Sequence, residues 1–436
     1  MEELLRWKDK DSRKSLIISG ARQIGKTYIV REFGKRYYDT YIELNFLEQP
    51  DLKNIFAGNL DVNSLIFNLS LYRDIRSMQE GKTLILLDEI QECPQAMASL
   101  KFWTLDKRYD VIATGSALGI NFSTISSYPV GHVEYMDMYA LSFTEFLWAN
   151  QIDDSFIETL RSFMMEKKAV PLAIHQKMAE VLQYYMIVGG MPDVVNEYIT
   201  SRNIVLVDEI QKRIYRDYIA DIARMAPPQI KIKAEKCYRS IPLQISGENH
   251  KFQYSVIEKK GTSAKFETSL DWLKNAFIVK DIHNLKTIDY PPELYADETN
   301  FRLYPTDIGL LMATLDLGMK KALLSEKSLE ESPSHIMLGT VKGGLYEALA
   351  ADLLIKNGHK QLYFYKHPKN TMEIEFLYLT EDGLIPVEIK AGRKKANSLA
   401  SILENDKIPY GYKLASQNIG VSGKRITLPL YMLCFL

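Results

Sequence analysis

The sequence has few cysteines and no long apolar segment. Its three cysteines, Cys93, Cys237 and Cys434, are far apart and match no zinc-ligand spacing, so we expect inert thiols in the reducing cytoplasm. No segment reaches the roughly 20 consecutive apolar residues that cross a bilayer, and the charged N-terminus lacks the apolar core of a signal peptide. These absences argue against a disulfide-rich secreted protein, a zinc protein and a membrane protein.

The sequence also lacks a strong net charge. At a formal net charge of -1, any affinity for nucleic acid must come from a local basic patch. With 46% hydrophobic and 25% charged residues and no low-complexity tract, the composition is typical of a soluble globular protein. The length of 436 residues predicts about three domains, and the oligomeric state does not follow from the sequence.

A phosphate-binding loop follows a short apolar strand near the N-terminus. The strand ends at Gly20, and Gly20–Thr27 then fits G-x-x-x-x-G-K-[ST] before a helix-like segment. Backbone N–H groups of such a loop surround the phosphates of ATP, its lysine neutralises the β- and γ-phosphates, and its threonine ligates Mg²⁺. The predicted nucleotide-binding residues here are Gly20, Ala21, Arg22, Gln23, Ile24, Gly25, Lys26 and Thr27.

A second apolar strand, residues 83–87, ends in the pair Asp88 and Glu89. Open α/β sheets bind ligands at the carboxyl ends of their strands, so we expect Asp88 to hold Mg²⁺ through water and Glu89 to polarise the attacking water. The alternative is that the two carboxylates cap the next helix. Their position about sixty residues after the phosphate loop favours the catalytic interpretation.

A third strand, residues 110–116, ends in Thr114, Gly115 and Ser116. Its hydroxyl groups are candidates for a contact with the γ-phosphate, and we include Ser116 among the nucleotide-binding residues. Turn chemistry around Gly115 explains these small residues equally well.

The middle of the chain is mostly helical. From Leu141 to about Arg224 the pattern predicts a helical lid, interrupted by a turn at residues 188–192. Residues 231–284 predict three short helices and a strand, an order that resembles a winged helix-turn-helix with DNA as its ligand. Thr268, Trp272 and Leu273 are predicted on one face of the third helix, and the basic residues before it are Lys251, Lys259, Lys260 and Lys265. A small helical adaptor with solvated lysines is the alternative.

The C-terminal third contains several carboxylates and a lysine. Glu347 lies on the apolar face of a predicted helix, and two predicted strands carry Glu373 and Glu375, then Glu388 and Lys390. A hairpin of these strands would place Glu375 beside Glu388. This order resembles the PD-(D/E)xK nucleases, in which carboxylates bind a divalent metal and the lysine steadies a water or phosphate oxygen. Cross-strand charge pairing is the alternative.

The resemblance implies catalytic roles for Glu347, Glu375, Glu388 and Lys390. It also implies that Glu375 and Glu388 are metal ligands, in addition to Thr27 and Asp88 at the magnesium site of the nucleotide. Lysines within residues 360–369 and basic residues within 393–395 add positive charge that could attract a phosphate backbone.

Taken together, the chain resembles a broad family of prokaryotic AAA+ ATPases that carry a C-terminal uncharacterised domain with a nuclease-like end. The matching segments, in the family's order, are residues 20–27, 86–91, 114–116, 141–146, 189–192, 303–310 and 387–392. In such sheets Thr114 or Ser116 would sense the γ-phosphate. Two positions depart from the family pattern: His132 replaces an arginine, and Glu375 replaces an aspartate.

The expected fold is therefore α/β, with a parallel P-loop sheet and a smaller nuclease-like domain. The predicted domains are an AAA+ core (1–140), a helical lid (141–230), a winged-helix-like segment (231–305) and a nuclease-like domain (306–436). The predicted function is a cytoplasmic ATPase that uses ATP and Mg²⁺ and couples its nucleotide state to a DNA-acting C-terminal module. The alternative is a nucleotide-dependent regulatory or scaffold protein with an inactive nuclease fold.

Overall fold

The computed structural model describes residues 1–72, 78–116, 131–247, 250–325, 333–367, 372–390 and 397–436. These residues divide into two units. The first unit contains Met1–Tyr139 and Asn275–Phe277, and the second contains Ala140–Lys274 and Ile278–Leu436.

The first unit alternates strands and helices. Its α-helices are α1 (Glu2–Lys8), α2 (Lys26–Tyr37), α3 (Val62–Ser70) and α4 (Pro94–Asp106). Its strands are β1 (Ser15–Gly20), β2 (Thr40–Asn45), β3 (Thr83–Asp88), β4 (Asp110–Ser116) and β5 (Val133–Met138). Short 3₁₀ helices span Pro50–Phe56 and Ile90–Glu92. The three strands predicted from the sequence are all present.

The five strands form a parallel sheet in the order β2-β3-β4-β1-β5. Every residue of β1 and β3 is buried, as expected for central strands covered on both faces. Alternate residues belong to two separate cores: Ile17 and Leu87 pack with α3 and α4, whereas Leu16 and Leu86 pack with α1 and α2. This is the α/β sheet with helices on both faces that a P-loop ATPase uses.

The second unit begins with helices and ends with a sheet. Its longer helices are α5 (Phe143–Ala149), α6 (Asp154–Met165), α7 (Leu172–Val188), α8 (Pro192–Ser201), α9 (Ile204–Met225), α10 (Lys231–Ile245), α12 (Ser263–Asn275), α14 (Leu317–Leu324), α15 (Pro333–Lys356) and α16 (Asn397–Leu403). Short helices are α11 (Tyr254–Ile257), α13 (Ile308–Met312) and the 3₁₀ segments Pro292–Tyr295 and Leu430–Phe435.

The strands of the second unit form one mixed sheet. They are β6 (Val279–Leu285), β7 (Ala296–Pro305), β8 (Tyr363–Lys366), β9 (Glu373–Thr380), β10 (Gly383–Ile389), β11 (Gly411–Ala415), β12 (Gly420–Ser422) and β13 (Arg425–Pro429). Their order is β12-β13-β11-β10-β9-β8-β6-β7. The hairpin β6–β7 thus belongs to the same sheet as the strands after residue 306, because β6 pairs with β8 in parallel. One sheet therefore continues across residues 305 and 306, where a domain boundary was predicted.

The third helix of the winged-helix-like segment is α12. Its buried face consists of Phe266, Ser269, Leu270 and Leu273. Of the three residues predicted on one face, Leu273 is buried, Trp272 is half-buried and Thr268 is exposed. No described helix is long and apolar enough to cross a membrane.

Candidate functional site

The candidate nucleotide site lies at the carboxyl edge of the parallel sheet in the first unit. Because β1 to β4 run in the same direction, their last residues meet at this edge. Asn45 at the end of β2 pairs with Asp88 at the end of β3, and Gly20 at the end of β1 pairs with Ser116 at the end of β4. The phosphate loop therefore begins at the same edge of the sheet as Asp88, which was predicted to bind Mg²⁺.

The backbone of the phosphate loop needs its two glycines. A Cβ on Gly20 would lie 2.3 Å from the carbonyl oxygen of Met138 on β5, so no side chain fits there. Gly25 has a φ of 92° and forms the N-cap of α2, a conformation that favours glycine. Gln23 also has a positive φ, of 62°. The loop thus reverses direction tightly and presents the N-terminus of α2, which favours bound anions.

Lys26 is buried at the start of α2 and points back at the loop. Its Nζ donates hydrogen bonds to the carbonyl oxygens of Gly20 at 3.1 Å and Ala21 at 2.6 Å. Burial lowers the pKa of Lys26 to about 8, while the negative charges of Glu89 and Asp88 act in the opposite direction. The two carbonyl groups hold the ammonium group inside the loop, where the oxygens of a bound phosphate could replace them as hydrogen-bond acceptors.

Asp88 is the centre of a hydrogen-bond network of neutral side chains. The Thr27 hydroxyl donates to its two oxygens at 2.9 and 3.1 Å, and Asn45 donates to Oδ2 at 2.9 Å. Thr114 also donates to Oδ1. The structure therefore brings the predicted residues Thr27, Asp88 and Thr114 together. It adds Asn45, which the sequence reasoning missed although its strand ends at the same edge.

Glu89 follows Asp88 in a left-handed backbone conformation, with φ 53° and ψ 47°. Non-glycine residues adopt this conformation at a cost, and such residues concentrate at functional sites. The Gln91 amide donates to Glu89 Oε2 and so orients the carboxylate. Gln91 Oε1 is buried and has no hydrogen-bond partner among the described residues, and a Cβ on residue 115 would lie 2.5 Å from it. Gly115 thus leaves room for Gln91, the second residue that sequence reasoning missed.

The residues at this site fit a magnesium ion bound together with a nucleotide. Mg²⁺ prefers oxygen ligands, keeps several waters and takes its remaining ligands from few carboxylates and from phosphates. Thr27 and Asp88 supply one hydroxyl and one carboxylate next to a loop built for phosphate. The group that donates to Asp88 here is the neutral Thr27 hydroxyl, which can rotate away from the carboxylate when a cation binds.

The structure describes only part of the surroundings of two further predicted positions, Ser116 and His132. The side chain of Ser116 lies outside the described part of the structure, so Thr114 is the sensor candidate whose contacts are seen. His132 accepts a hydrogen bond from the Thr104 hydroxyl through its backbone carbonyl, at 2.7 Å. The segment before it, including Val130, is outside the described residues.

In the second unit the hairpin β9–β10 brings predicted residues together. The register pairs Phe376 with Val387, which places Glu375 opposite Glu388 on the two strands. Lys390 Nζ lies 3.0 Å from Glu388 Oε1 and 3.6 Å from Glu375 Oε1. Burial, reinforced by the charge of Glu347, raises the pKa of Glu375 to about 7 against the opposing effect of Lys390. The expected grouping of Glu375, Glu388 and Lys390 is thus present.

Glu347 has a different set of partners, which the sequence reasoning missed. Arg302 and the Tyr304 hydroxyl both donate to Glu347 Oε1, and His250 Nδ1 lies 2.8 Å from Oε2. The buried Arg302 guanidinium also donates to Glu373. Desolvation would raise the pKa of Glu347, but the charge of Arg302 and its other partners hold it low, at about 2.

These contacts do not form the predicted metal shell. Among the described residues, no group of three or more His, Cys, Asp or Glu side chains is placed to hold a metal ion. The expected convergence of Glu347, Glu375 and Glu388 into one ligand set is therefore corrected: Glu347 is turned to Arg302 instead. The sequence contained a signal for this pairing, because Arg302 lies among the apolar residues of the buried second half of β7, where its charge requires a carboxylate partner.

The basic residues predicted near this unit have mixed outcomes. Lys366 lies 3.3 Å from Glu373, and Lys265 and Lys236 both pair with Glu258. Residues 393–395 and the end of the segment 360–369 lie outside the described residues. All three cysteines of the sequence are free and buried, in agreement with the expected inert thiols.

Comparison with protein-family models gives three matches in chain order. Residues 12–147 match a family described as an AAA domain. Residues 179–321 and 342–431 match two domains of unknown function, DUF8612 and DUF4143. The first unit is therefore a P-loop ATPase domain of the AAA type, and these matches do not assign a nuclease fold to the C-terminal part. Comparison with curated proteins gives no significant match.

Solved structures that match this chain include the Walker-type ATPase PABY2304 of Pyrococcus abyssi, at 14% identity and a TM-score of 0.42, covering 72% of this chain and 94% of that one. The Orc1 protein of Aeropyrum pernix in complex with DNA matches at 12% identity and a TM-score of 0.27, covering 75% and 90%. A DNA replication initiation factor matches at 12% identity and a TM-score of 0.24, covering 62% and 85%. These TM-scores are too low to carry a functional conclusion.

Proposed function

We propose that the protein binds ATP with Mg²⁺ at residues 20–27 and hydrolyses it. The observation that supports this most is the network around Asp88, in which the loop hydroxyl of Thr27 already touches the carboxylate at the end of β3. A phosphate loop and an acidic strand end are the two parts that phosphoryl transfer requires in contact.

Each residue has a distinct role in this proposal. Lys26 would leave the carbonyl oxygens of Gly20 and Ala21 and neutralise the β- and γ-phosphates. Thr27 and Asp88 would hold Mg²⁺, and a bound Mg²⁺ would supply positive charge to the phosphates. Glu89, oriented by Gln91, accepts a hydrogen bond from the attacking water. Thr114 and Asn45 keep Asp88 in position through their hydrogen bonds to its carboxylate, and these bonds change when a nucleotide binds.

Binding of a fluorescent ATP analogue tests this proposal. Lys26→Ala should abolish binding, because it removes the ammonium group that is held inside the loop. Lys35→Ala is the matched control, since Lys35 is exposed on the same helix, and its affinity should equal that of the wild type. Undiminished affinity in a folded Lys26→Ala protein would show that ATP does not bind at residues 20–27.

We further propose that the nucleotide state controls the second unit, whose strands β9 and β10 resemble a PD-(D/E)xK nuclease. DNA is the candidate ligand. Support comes from the grouping of Glu375, Glu388 and Lys390 and from the exposed lysines Lys251, Lys259 and Lys260 before α12, with Lys265 in its first turn. The cytoplasm is the proposed location.

A second candidate is a regulatory or scaffold protein whose nuclease-like unit binds without cutting. The pairing of Glu347 with Arg302 favours it, because that carboxylate is then not free for a metal. Incubation of the protein with labelled DNA, Mn²⁺ and ATP separates the two candidates. Cleavage that Glu388→Gln abolishes supports the nuclease, whereas DNA binding without cleavage in either protein supports the second candidate.

A further inference from the structure

The carboxylate oxygens of the predicted metal site already have partners within the protein. Glu347 Oε1 accepts hydrogen bonds from Arg302 and Tyr304, and its Oε2 faces His250. Glu375 Oε2 accepts from the backbone N–H of Ile389 at 3.0 Å, and Lys390 lies 3.6 Å from Oε1. A metal ion would have to displace a partner at each of these oxygens.

Glu388 is more deeply buried. The Leu399 N–H donates to its Oε2 at 3.2 Å, and its Oε1, which accepts no hydrogen bond from the described residues, has the charge of Lys390 Nζ 3.0 Å away. The residue is 0% exposed. A catalytic Mg²⁺ keeps several water ligands, and a fully buried carboxylate leaves no space for them on its own side.

Arg302 supplies a cation at the centre of this cluster. Its guanidinium group pairs with Glu347 and Glu373, and its side chain is 1% exposed. Phe364 covers one face of the group, with the ring centroid 4.2 Å from Cζ. A buried guanidinium stays charged, and at low local dielectric it strongly repels a divalent cation placed nearby.

The nucleotide site of the same chain offers a direct contrast. Asp88 is held by two hydroxyls and an amide, which carry no charge and can reorient. In the second unit Glu347 pairs with Arg302, which keeps its charge when buried, and Glu388 pairs with the ammonium group of Lys390. The first arrangement accepts a metal ion, whereas the second has its positive charge built in.

We propose that Arg302, together with Lys390, replaces the divalent metal ion in the glutamate cluster of the second unit, so that this unit works without a metal. This inference extends the second candidate of the preceding section. Arg302 becomes a structural cation that ties β7 to α15 and β9. The unit then retains the charge pattern of a nuclease-like site but not its metal chemistry.

The experiment measures the effect of Mn²⁺ on the melting temperature of the full chain without nucleotide, against EDTA at matched ionic strength. All proteins carry Asp88→Asn, so that the nucleotide site does not contribute and failure of the ATPase proposal would not affect the result. We expect no rise in melting temperature with Mn²⁺. Electron paramagnetic resonance of free Mn²⁺ should likewise show no bound ion.

Arg302→Gln in the same background creates the opposite situation. It leaves Glu347 and Glu373 without their cation, so the melting temperature should fall and then recover by a few degrees as Mn²⁺ is added. Adding Glu347→Gln to that variant should remove the recovery, because the freed carboxylate is gone.

A saturable rise in melting temperature in the Asp88→Asn protein, lost on Glu388→Gln, would overturn the inference. So would bound Mn²⁺ in the resonance experiment that disappears with the same substitution. Both results come from a chain that retains Arg302, so they decide the question even if the Arg302→Gln protein does not fold.

Discussion

Lys26 is the residue whose surroundings most directly control nucleotide binding. Burial lowers its pKa to about 8, so without nucleotide it loses its proton as the pH rises above 8. Phosphate requires the charged form, and binding above pH 8 must therefore take up a proton. We expect the affinity for ATP to be nearly constant from pH 7 to 8 and to fall above it, by up to about tenfold per pH unit.

This prediction is checked by titrating a fluorescent ATP analogue at pH 7, 8, 9 and 10. Lys26→Arg is the control, because the guanidinium group stays charged throughout; its affinity is expected to be weaker but independent of pH. A wild-type affinity that stays constant up to pH 10 would show that Lys26 is not the group that titrates.

Glu375 gives a prediction about stability. Burial raises its pKa to about 7, above the usual value of 4.5. A raised carboxyl pKa contributes stability that is present below about pH 4.5 and is lost as the pH rises through 7. Glu375→Gln is neutral at every pH, so its melting temperature should rise relative to that of the wild type between pH 5 and 8. The measurement is made in EDTA, and a constant difference would contradict it.

At the scale of residues, the sequence predicted the site residues that belong to one short motif. It missed contacts between residues that are far apart in sequence and meet only in the folded protein. Lys26, Thr27, Asp88 and Glu89 belong to short motifs whose chemistry fixes their spacing. Arg302 and Glu347 are 45 residues apart and meet only when β7 packs on α15. No local periodicity connects such positions, although each one alone indicated a need for a partner.

At the scale of elements, the turn between α7 and α8 is held by a buried charge network. Asp307 Oδ2 accepts from the Gly190 N–H at 2.7 Å and pairs with Lys356 at 2.8 Å. Lys356 also pairs with Asp352, which accepts a hydrogen bond from Tyr185. These contacts join α7, α13 and α15, and they explain the glycine pair of this turn, since the backbone of α13 lies against it.

Gly190→Ala should therefore destabilise the protein strongly. The added Cβ would lie 2.0 Å from the carbonyl oxygen of Leu141, a backbone atom that cannot move independently. We expect a loss of about 3 kcal/mol or more, seen as a lower melting temperature. Gly420→Ala is the matched control, because no atom of the described residues lies within 4 Å of its added Cβ. Equal melting temperatures of the two variants would refute this view of the turn.

Elements were predicted better than their pairing. The strands β1, β3, β4, β9 and β10 follow from apolar runs and turn residues. The pairing of β6 with β8 does not, because it joins His283 to Tyr363 across several helices, and a parallel partner leaves no turn signal between the strands. The predicted winged-helix-like segment therefore shares its strands with the sheet of the C-terminal part.

For the whole molecule, the P-loop ATPase assignment of the first unit rests on the match of residues 12–147 and the parallel sheet. The near-zero net charge of the chain, -1, fits DNA contact through local lysines only. Raised salt should then weaken DNA binding while leaving ATP binding by the buried loop less affected.

ATP hydrolysis by the wild type and by Glu89→Gln is the most direct measurement of the central claim. The amide keeps the shape of the side chain but cannot accept a proton from water, so turnover should fall by about 100-fold or more while the affinity for the ATP analogue is retained. Phosphate release is measured at saturating ATP and Mg²⁺. Equal phosphate release by the two proteins, or none from the wild type, would contradict the account.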